Sequence, residues 1–184
     1  MKSSGMRTIV LVTALVSVLG ASALSAQDKY SVKVPGGLAF SEFGGYEAWQ
    51  LVSISQDGPA IAAILGNPVM IEAYRAGVPG NGKPFPDGSK MAKIHWNPTQ
   101  MAIFPAATVP GGQNDVDFMV KDSKRFPDSA GWGWAAFEHN TASGTFTPAT
   151  EAAKPPQGND AKCGLGCHTI AKSKDYVFTD YAPR

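Results

Sequence analysis

Cysteine is almost missing from this chain of 184 residues: there are two, at 163 and 167, and only three histidines. A structural zinc site wants four nitrogen or sulfur ligands, and this pair with the adjacent His168 falls short of that set. Long hydrophobic runs are lacking too. The run from Ile9 to Leu19 (IVLVTALVSVL) is too short to cross a bilayer, which takes about 20 apolar residues. Runs of lysine and arginine are absent, so nothing argues for nucleic acid or an anionic membrane surface as partner. Charged residues make up 17% of the chain against 43% hydrophobic, the balance of a globular domain. No internal repeat is visible.

What is present begins with a leader. Lys2 and Arg7 precede the apolar run, and Gly20-Ala21-Ser22-Ala23 follow it. A basic start, a short apolar centre and small residues predict a secretory signal peptide over 1–26, cut near Ser25 or Ala26. A retained N-terminal anchor is the alternative. Export to the periplasm follows, with no membrane span in the mature chain. Losing Lys2 and Arg7, and no acid, leaves 14 Lys+Arg against 15 Asp+Glu, close to neutral. The remaining 27–184, about 158 residues, suits a single domain with a substantial core.

Both cysteines sit in one stretch, Cys163-Gly164-Leu165-Gly166-Cys167-His168. Two thiols ahead of an adjacent imidazole suit covalent haem attachment, with thioethers to the vinyl groups and His168 reaching the iron. The usual spacing leaves two residues between the cysteines, and here there are three. Gly164 and Gly166 would let the backbone bulge and return in register. A small-loop disulfide is the competing reading, since a Gly-rich loop can bring two Cα atoms within about 7 Å. An exported compartment suits both.

Elsewhere the pattern predicts short elements. Gln27 to Gly45 is turn-rich and drapes over the domain. Tyr46 to Val52 suggests a short helix, and Ala60 to Leu65 is an apolar stretch of either type. Pro68 to Ala76 reads as a helix with Asn67 as N-cap and Gly77 past its end. Gly77 to Gly88 is a loop. Ser89 to Trp96 reads as a strand closed by Asn97-Pro98, with Met91, Lys93 and His95 on one face and Ala92, Ile94 and Trp96 on the other. Asp115 to Lys121 alternates as a strand does, and Gly131 to Glu138 is an aromatic strand. Asn140 to Asn159 carries no period. A short helix through His168 to Lys172 and a final strand or tail from Asp175 to Tyr181 complete the chain. The predicted class is α+β, mainly antiparallel sheet with a few short helices.

Several stretches together carry a resemblance. They are Tyr46-x-x-Trp49, Asn67-Pro68 with Tyr74 and Gly77, Pro86-Asp87-Gly88 with Lys93 five residues on, and Val120-Lys121-Asp122-Ser123-Lys124-Arg125-Phe126. Gly131-Trp132-Gly133-Trp134 and the cysteine motif with Asp175-Tyr176-Val177-Phe178-Thr179 complete it. In this order the chain resembles the cytochrome P-460 family, small exported mono-haem c-type cytochromes that include cytochrome c′-beta relatives. The resemblance spans roughly Phe43 to Pro183. It implies a mainly antiparallel β fold, usually dimeric, with one haem c per chain whose iron is five-coordinate. Cys163 and Cys167 would be the thioether anchors and His168 the proximal iron ligand. In the hydroxylamine-oxidising members a lysine is bonded to the porphyrin edge, which here falls on Lys93. Their distal carboxylate falls on Asp117, an aspartate where a glutamate is expected.

Each of these residues also has a plainer reading. Lys93 can be a solvated lysine on a sheet face, and Asp117 an exposed carboxylate beside Asp115. His95 and His139 are better read as hydrogen-bonded than as axial ligands, and Met70, Met91, Met101 and Met119 as core. The tryptophans at 49, 96, 132 and 134 read as core and haem-pocket walls. Three haem functions stay open: hydroxylamine oxidation with nitric oxide chemistry, delivering electrons to a periplasmic acceptor such as a small cytochrome c; nitric oxide or carbon monoxide binding without turnover; and electron carriage with a sixth ligand.

Overall fold

The computed structural model describes residues 27–32, 37–149 and 162–184. The predicted signal peptide and the stretch from 150 to 161 lie outside the described residues. Among the described residues, six strands form one antiparallel meander in the order β1-β2-β3-β4-β5-β6. They are β1 Gln50–Asp57, β2 Ala60–Gly66, β3 Lys90–Met101, β4 Phe104–Lys121, β5 Trp132–Asn140 and β6 Thr145–Pro148. Two α-helices, α1 Pro68–Arg75 and α2 Lys162–His168, and several 3-10 turns pack around it. The α+β, mainly antiparallel expectation matches this architecture.

Alternation along β3 and β4 divides the core into two. Ala92, Ile94, Val116, Phe118 and Val120 join Ala135 and Phe137 on one face. Over that face runs the N-terminal segment, with Leu38, Phe40 and Phe43 wholly buried. Phe40 lies at the hub, its ring 4.8 Å from Phe137, 4.9 Å from Phe146 and 5.4 Å from Phe118. Gln27 exchanges two hydrogen bonds with Phe146, donating to its carbonyl at 3.1 Å and accepting from its amide at 2.6 Å. That exchange occupies backbone groups of the edge strand β6, a place where unpaired groups invite other chains. Arg125 donates to Glu42 at 2.6 Å and fastens the segment to the loop after β4.

The opposite face carries Met91, Met119 and Trp134 together with α1 and the C-terminal residues. Asn67 caps α1 as expected, its Oδ1 accepting from Met70 N and Lys90 N, each at 3.0 Å. Pro68 takes the first helical position and Gly77, at φ 88°, turns the chain away. Tyr181 stacks on Tyr74 at 5.5 Å, and Tyr74 Oη donates to the Thr179 carbonyl at 2.7 Å. The last residues are thus an extended tail against α1, without strand pairing.

Other expectations need correcting. The Tyr46 stretch makes only a 3-10 turn, Tyr46–Ala48, before β1 begins. Pro98 does not end β3. The strand runs on to Met101, Pro98 lies opposite Pro110, and the pairing is irregular on either side. Beyond Trp96 the hairpin has only two strands, because the pairing of β3 with β2 ends at Trp96 and that of β4 with β5 begins at Asp115. Alternate N–H groups there face solvent, where proline forfeits no ladder bond. Thr145–Pro148 is a strand despite its lack of period, held by its pairing with β5.

Candidate functional site

Helix α2 docks on the face shared by α1 and the tail. The expectation that Gly164 and Gly166 allow a bulge is not met, since the cysteine segment is helical and neither glycine has positive φ. Positions 163 and 167 are four apart, and residues four apart lie on one face of a helix. The extra residue between the cysteines therefore needs no special backbone. Gly164 is needed for another reason: a Cβ there would fall 2.7 Å from Trp134 Cβ and closer still to the indole Cγ. Gly166 faces open space. Gly164→Ala is expected to cost about 1–3 kcal/mol through overpacking and to lower haem incorporation. Thermal unfolding and intact mass check this, with Gly166→Ala, tolerated on both counts, as the comparison.

His168 ends α2. Its Nδ1 lies 2.6 Å from the Tyr176 carbonyl oxygen, an acceptor, so Nδ1 carries the proton and Nε2 keeps a lone pair. Trp134 and Phe178 flank the ring, with centroids 5.3 and 4.8 Å away. Burial pushes the His168 pKa down, the Tyr176 carbonyl opposes this, and the positive charge of Lys93 adds to the depression. Lys93 lies on the sheet face that carries Trp134, the ring against which His168 packs. A neutral imidazole held in one tautomer by a carbonyl is the form in which histidine binds a metal. Cys167 is an exposed free thiol.

On that same sheet face β3 and β4 carry a polar group. Lys93 pairs with Asp117 and His95 with Asp115, so the period of two puts all four on one face. His95 Nδ1 hydrogen-bonds Asp115 Oδ1 and lies 3.9 Å from Asp117 Oδ2. The Lys93 side chain is half-buried and makes no hydrogen bond or ion pair among the described residues. Asp117 keeps 49% of its side-chain surface open. Lost hydration and the Asp115 charge raise its pKa to about 6, against the charges of His95 and Lys93. The three ligand atoms of His95, Asp115 and Asp117 lie within 4.8 Å of one another. Because Nδ1 is engaged by Asp115, we read the trio as charge balance around Asp117 rather than as a metal cage.

The sequence singled out Lys93, Asp117, His168 and the cysteines as candidates, and the structure sets His95 and Asp115, read there as bystanders, beside Asp117. The signal was present: each stands two residues from a chosen one, on the same pleat face. The register that sets them opposite each other was not.

A family model described as Cytochrome P460 matches residues 44–179. The chain belongs to the cytochrome P460 family. No curated protein matches it. Membership in the cytochrome P460 family implies a haem cofactor, and the residues present fit one. The donor set is two cysteine positions one helical turn apart and an imidazole with its Nε2 lone pair available. The indole Nε1 of Trp134, beside His168, is buried without an acceptor among the described residues. Leaving such a donor unmet costs about 1–3 kcal/mol, and a bound group with an acceptor would relieve it. Most of the other expected bystanders behave as such, but Met101, expected in the core, is only half-buried where β3 turns into β4. His139 packs on Phe146 at 4.7 Å, on the other face of the sheet, and Met70, Met91 and Met119 are buried in the core. No helix among the described residues is long and apolar enough to cross a membrane.

Proposed function

We propose that this cytochrome P460 is a periplasmic mono-haem c-type protein that oxidises hydroxylamine. Cys163 and Cys167 hold the haem, His168 Nε2 is the proximal ligand, and Lys93 is cross-linked to the porphyrin edge. The haem would supply an open coordination position and an acceptor for electrons on their way to a small periplasmic cytochrome. Each electron taken from hydroxylamine leaves with a proton, so the chain must provide a base within reach. Asp117 is that base. With its pKa near 6 it is ionised at neutral pH and still able to take a proton. His95 and Asp115 stand next to it to stabilise either state.

The observation that carries this reading is the polar cluster of Lys93, His95, Asp115 and Asp117 on the sheet face that also carries Trp134, against which His168 packs. A protein that only binds nitric oxide or carbon monoxide has no use for a base there. Export rests on the predicted leader. The two-stranded end of the β3–β4 hairpin favours a homodimer. It has no charged residue from Asn97 to Asn114, and Ile103 and Phe104 are 92% and 60% exposed at its tip.

The test is the optical spectrum and intact mass of protein matured with c-type haem machinery, followed by addition of hydroxylamine and an electron acceptor. We expect one added haem, a reduced Soret band displaced strongly to the red, and turnover. Lys93→Ala is expected to return the spectrum to that of an ordinary high-spin c-type haem. An unchanged spectrum in that variant overturns the cross-link. A mass without haem overturns the whole reading.

A further inference from the structure

Lys121 is the one buried charged side chain among the described residues, 6% exposed at the end of β4. Taking an ammonium out of water is costly unless its donors are met. Here they are. Nζ donates to the Ala130 carbonyl at 2.8 Å and to both oxygens of Asp175 at 2.9 and 3.0 Å, and it lies 4.9 Å from the Trp132 ring. Asp175 Oδ2 also accepts from Phe85 N at 2.8 Å. Nothing in the chemistry proposed above uses this pair.

Its neighbour shows what it does. Asp175 has φ 50° and Tyr176 has φ 63°. Two consecutive residues with side chains in the left-handed region are strained, and such strain persists only where surrounding contacts enforce it. The product of this turn is the direction of the Tyr176 carbonyl, which meets His168 Nδ1 at 2.6 Å. Tyr176 N donates to the Ala171 carbonyl at 2.9 Å, and Val177, 2% exposed, anchors the turn in the core.

We propose that Lys121 and Asp175 are positioning residues for His168: the buried pair holds the left-handed turn that aims the Tyr176 carbonyl at Nδ1. The inference rests on His168 being the iron ligand. The pair links the far end of β4 to the ligand's hydrogen bond, which governs how the imidazole is oriented and how strongly it donates. Loosening the turn weakens that hydrogen bond, so the iron–histidine bond weakens and the reduction potential rises.

The experiment uses haem-loaded, full-length protein, with the iron–histidine stretching band of the reduced form read by resonance Raman and the midpoint potential by titration. Lys121→Met alone leaves a buried carboxylate unpaired and can fail to fold. The deciding variant is therefore the double Lys121→Met/Asp175→Asn, which buries no unpaired charge. We expect its band to move to lower frequency, its potential to rise, and hydroxylamine turnover to fall on the order of 10–100-fold, as for other partners of metal ligands. Phe40→Ala, which weakens the opposite core, is expected to leave band and potential in place. An unmoved band in the double variant overturns the positioning role, as does an equal shift in Phe40→Ala. Absence of the band from the unmodified protein overturns the His168 assignment and the positioning role together.

Discussion

Asp117→Asn is expected to lower hydroxylamine turnover by about 10²–10⁴-fold, the range that a positioned proton-transfer group contributes. The asparagine keeps the size and cannot accept the proton. In the native protein, lost hydration and Asp115 raise Asp117 to about 6. A base acts when deprotonated, so kcat/KM should rise with pH through about 6 and level off above it. The variant should lose that limb. The effect on folding has the opposite sense. A carboxyl whose pKa is raised by folding favours the fold at low pH, and that contribution disappears as pH rises through about 6. Above pH 6 the variant should therefore unfold at the same temperature or higher while turning over far more slowly. A kcat/KM profile that keeps both its height and its acid limb would remove Asp117 from the chemistry.

Phe40→Ala should cost about 3–5 kcal/mol, the usual range for a buried phenylalanine. That is a large share of the 5–15 kcal/mol that holds a typical domain together. Phe40 is fully buried, and its ring meets Tyr30, Tyr46, Phe118, Phe137 and Phe146. Those rings come from the N-terminal segment and three strands, so the cavity cannot close by moving one element. Denaturant unfolding should show a lower midpoint with an unchanged slope. A loss below about 1 kcal/mol would mean that the N-terminal segment is not an integral part of the core.

The parts legible in the sequence are those where a local rule decides the outcome. Alternation placed Lys93 and Asp117 on the same faces as the structure does, and Asn67, Pro68 and Gly77 marked both ends of α1. What was missed depended on distant partners. Pro98 looked like a stop because nothing local says that the strand is there a two-stranded ribbon. Thr145–Pro148 has no pattern of its own and is a strand because β5 offers it an edge. Gly164 and Gly166 looked equivalent, and only the indole of Trp134 distinguishes them. Within the site, His95 and Asp115 needed the β3–β4 register, and Lys121 needed a carboxylate 54 positions away.

Every hydrogen-bonded neighbour in the sheet is also the next strand along the chain. In kinetic terms the meander closes between chain neighbours, by tight hairpins at β1–β2, β3–β4 and β5–β6 and by longer connections at β2–β3 and β4–β5, so the sheet should form early. The pieces that must travel are the two ends: Gln27 to Phe146 on one face, and Ala182, whose amide meets the Val52 carbonyl at 3.1 Å, on the other. Helix α2 follows all six strands in the chain, so a newly made molecule can assemble its sheet before positions 163, 167 and 168 dock. On the attachment proposed above, a haem-attaching enzyme would meet a reachable segment beside a preformed receptor, and docking of α2 would be the last event of maturation.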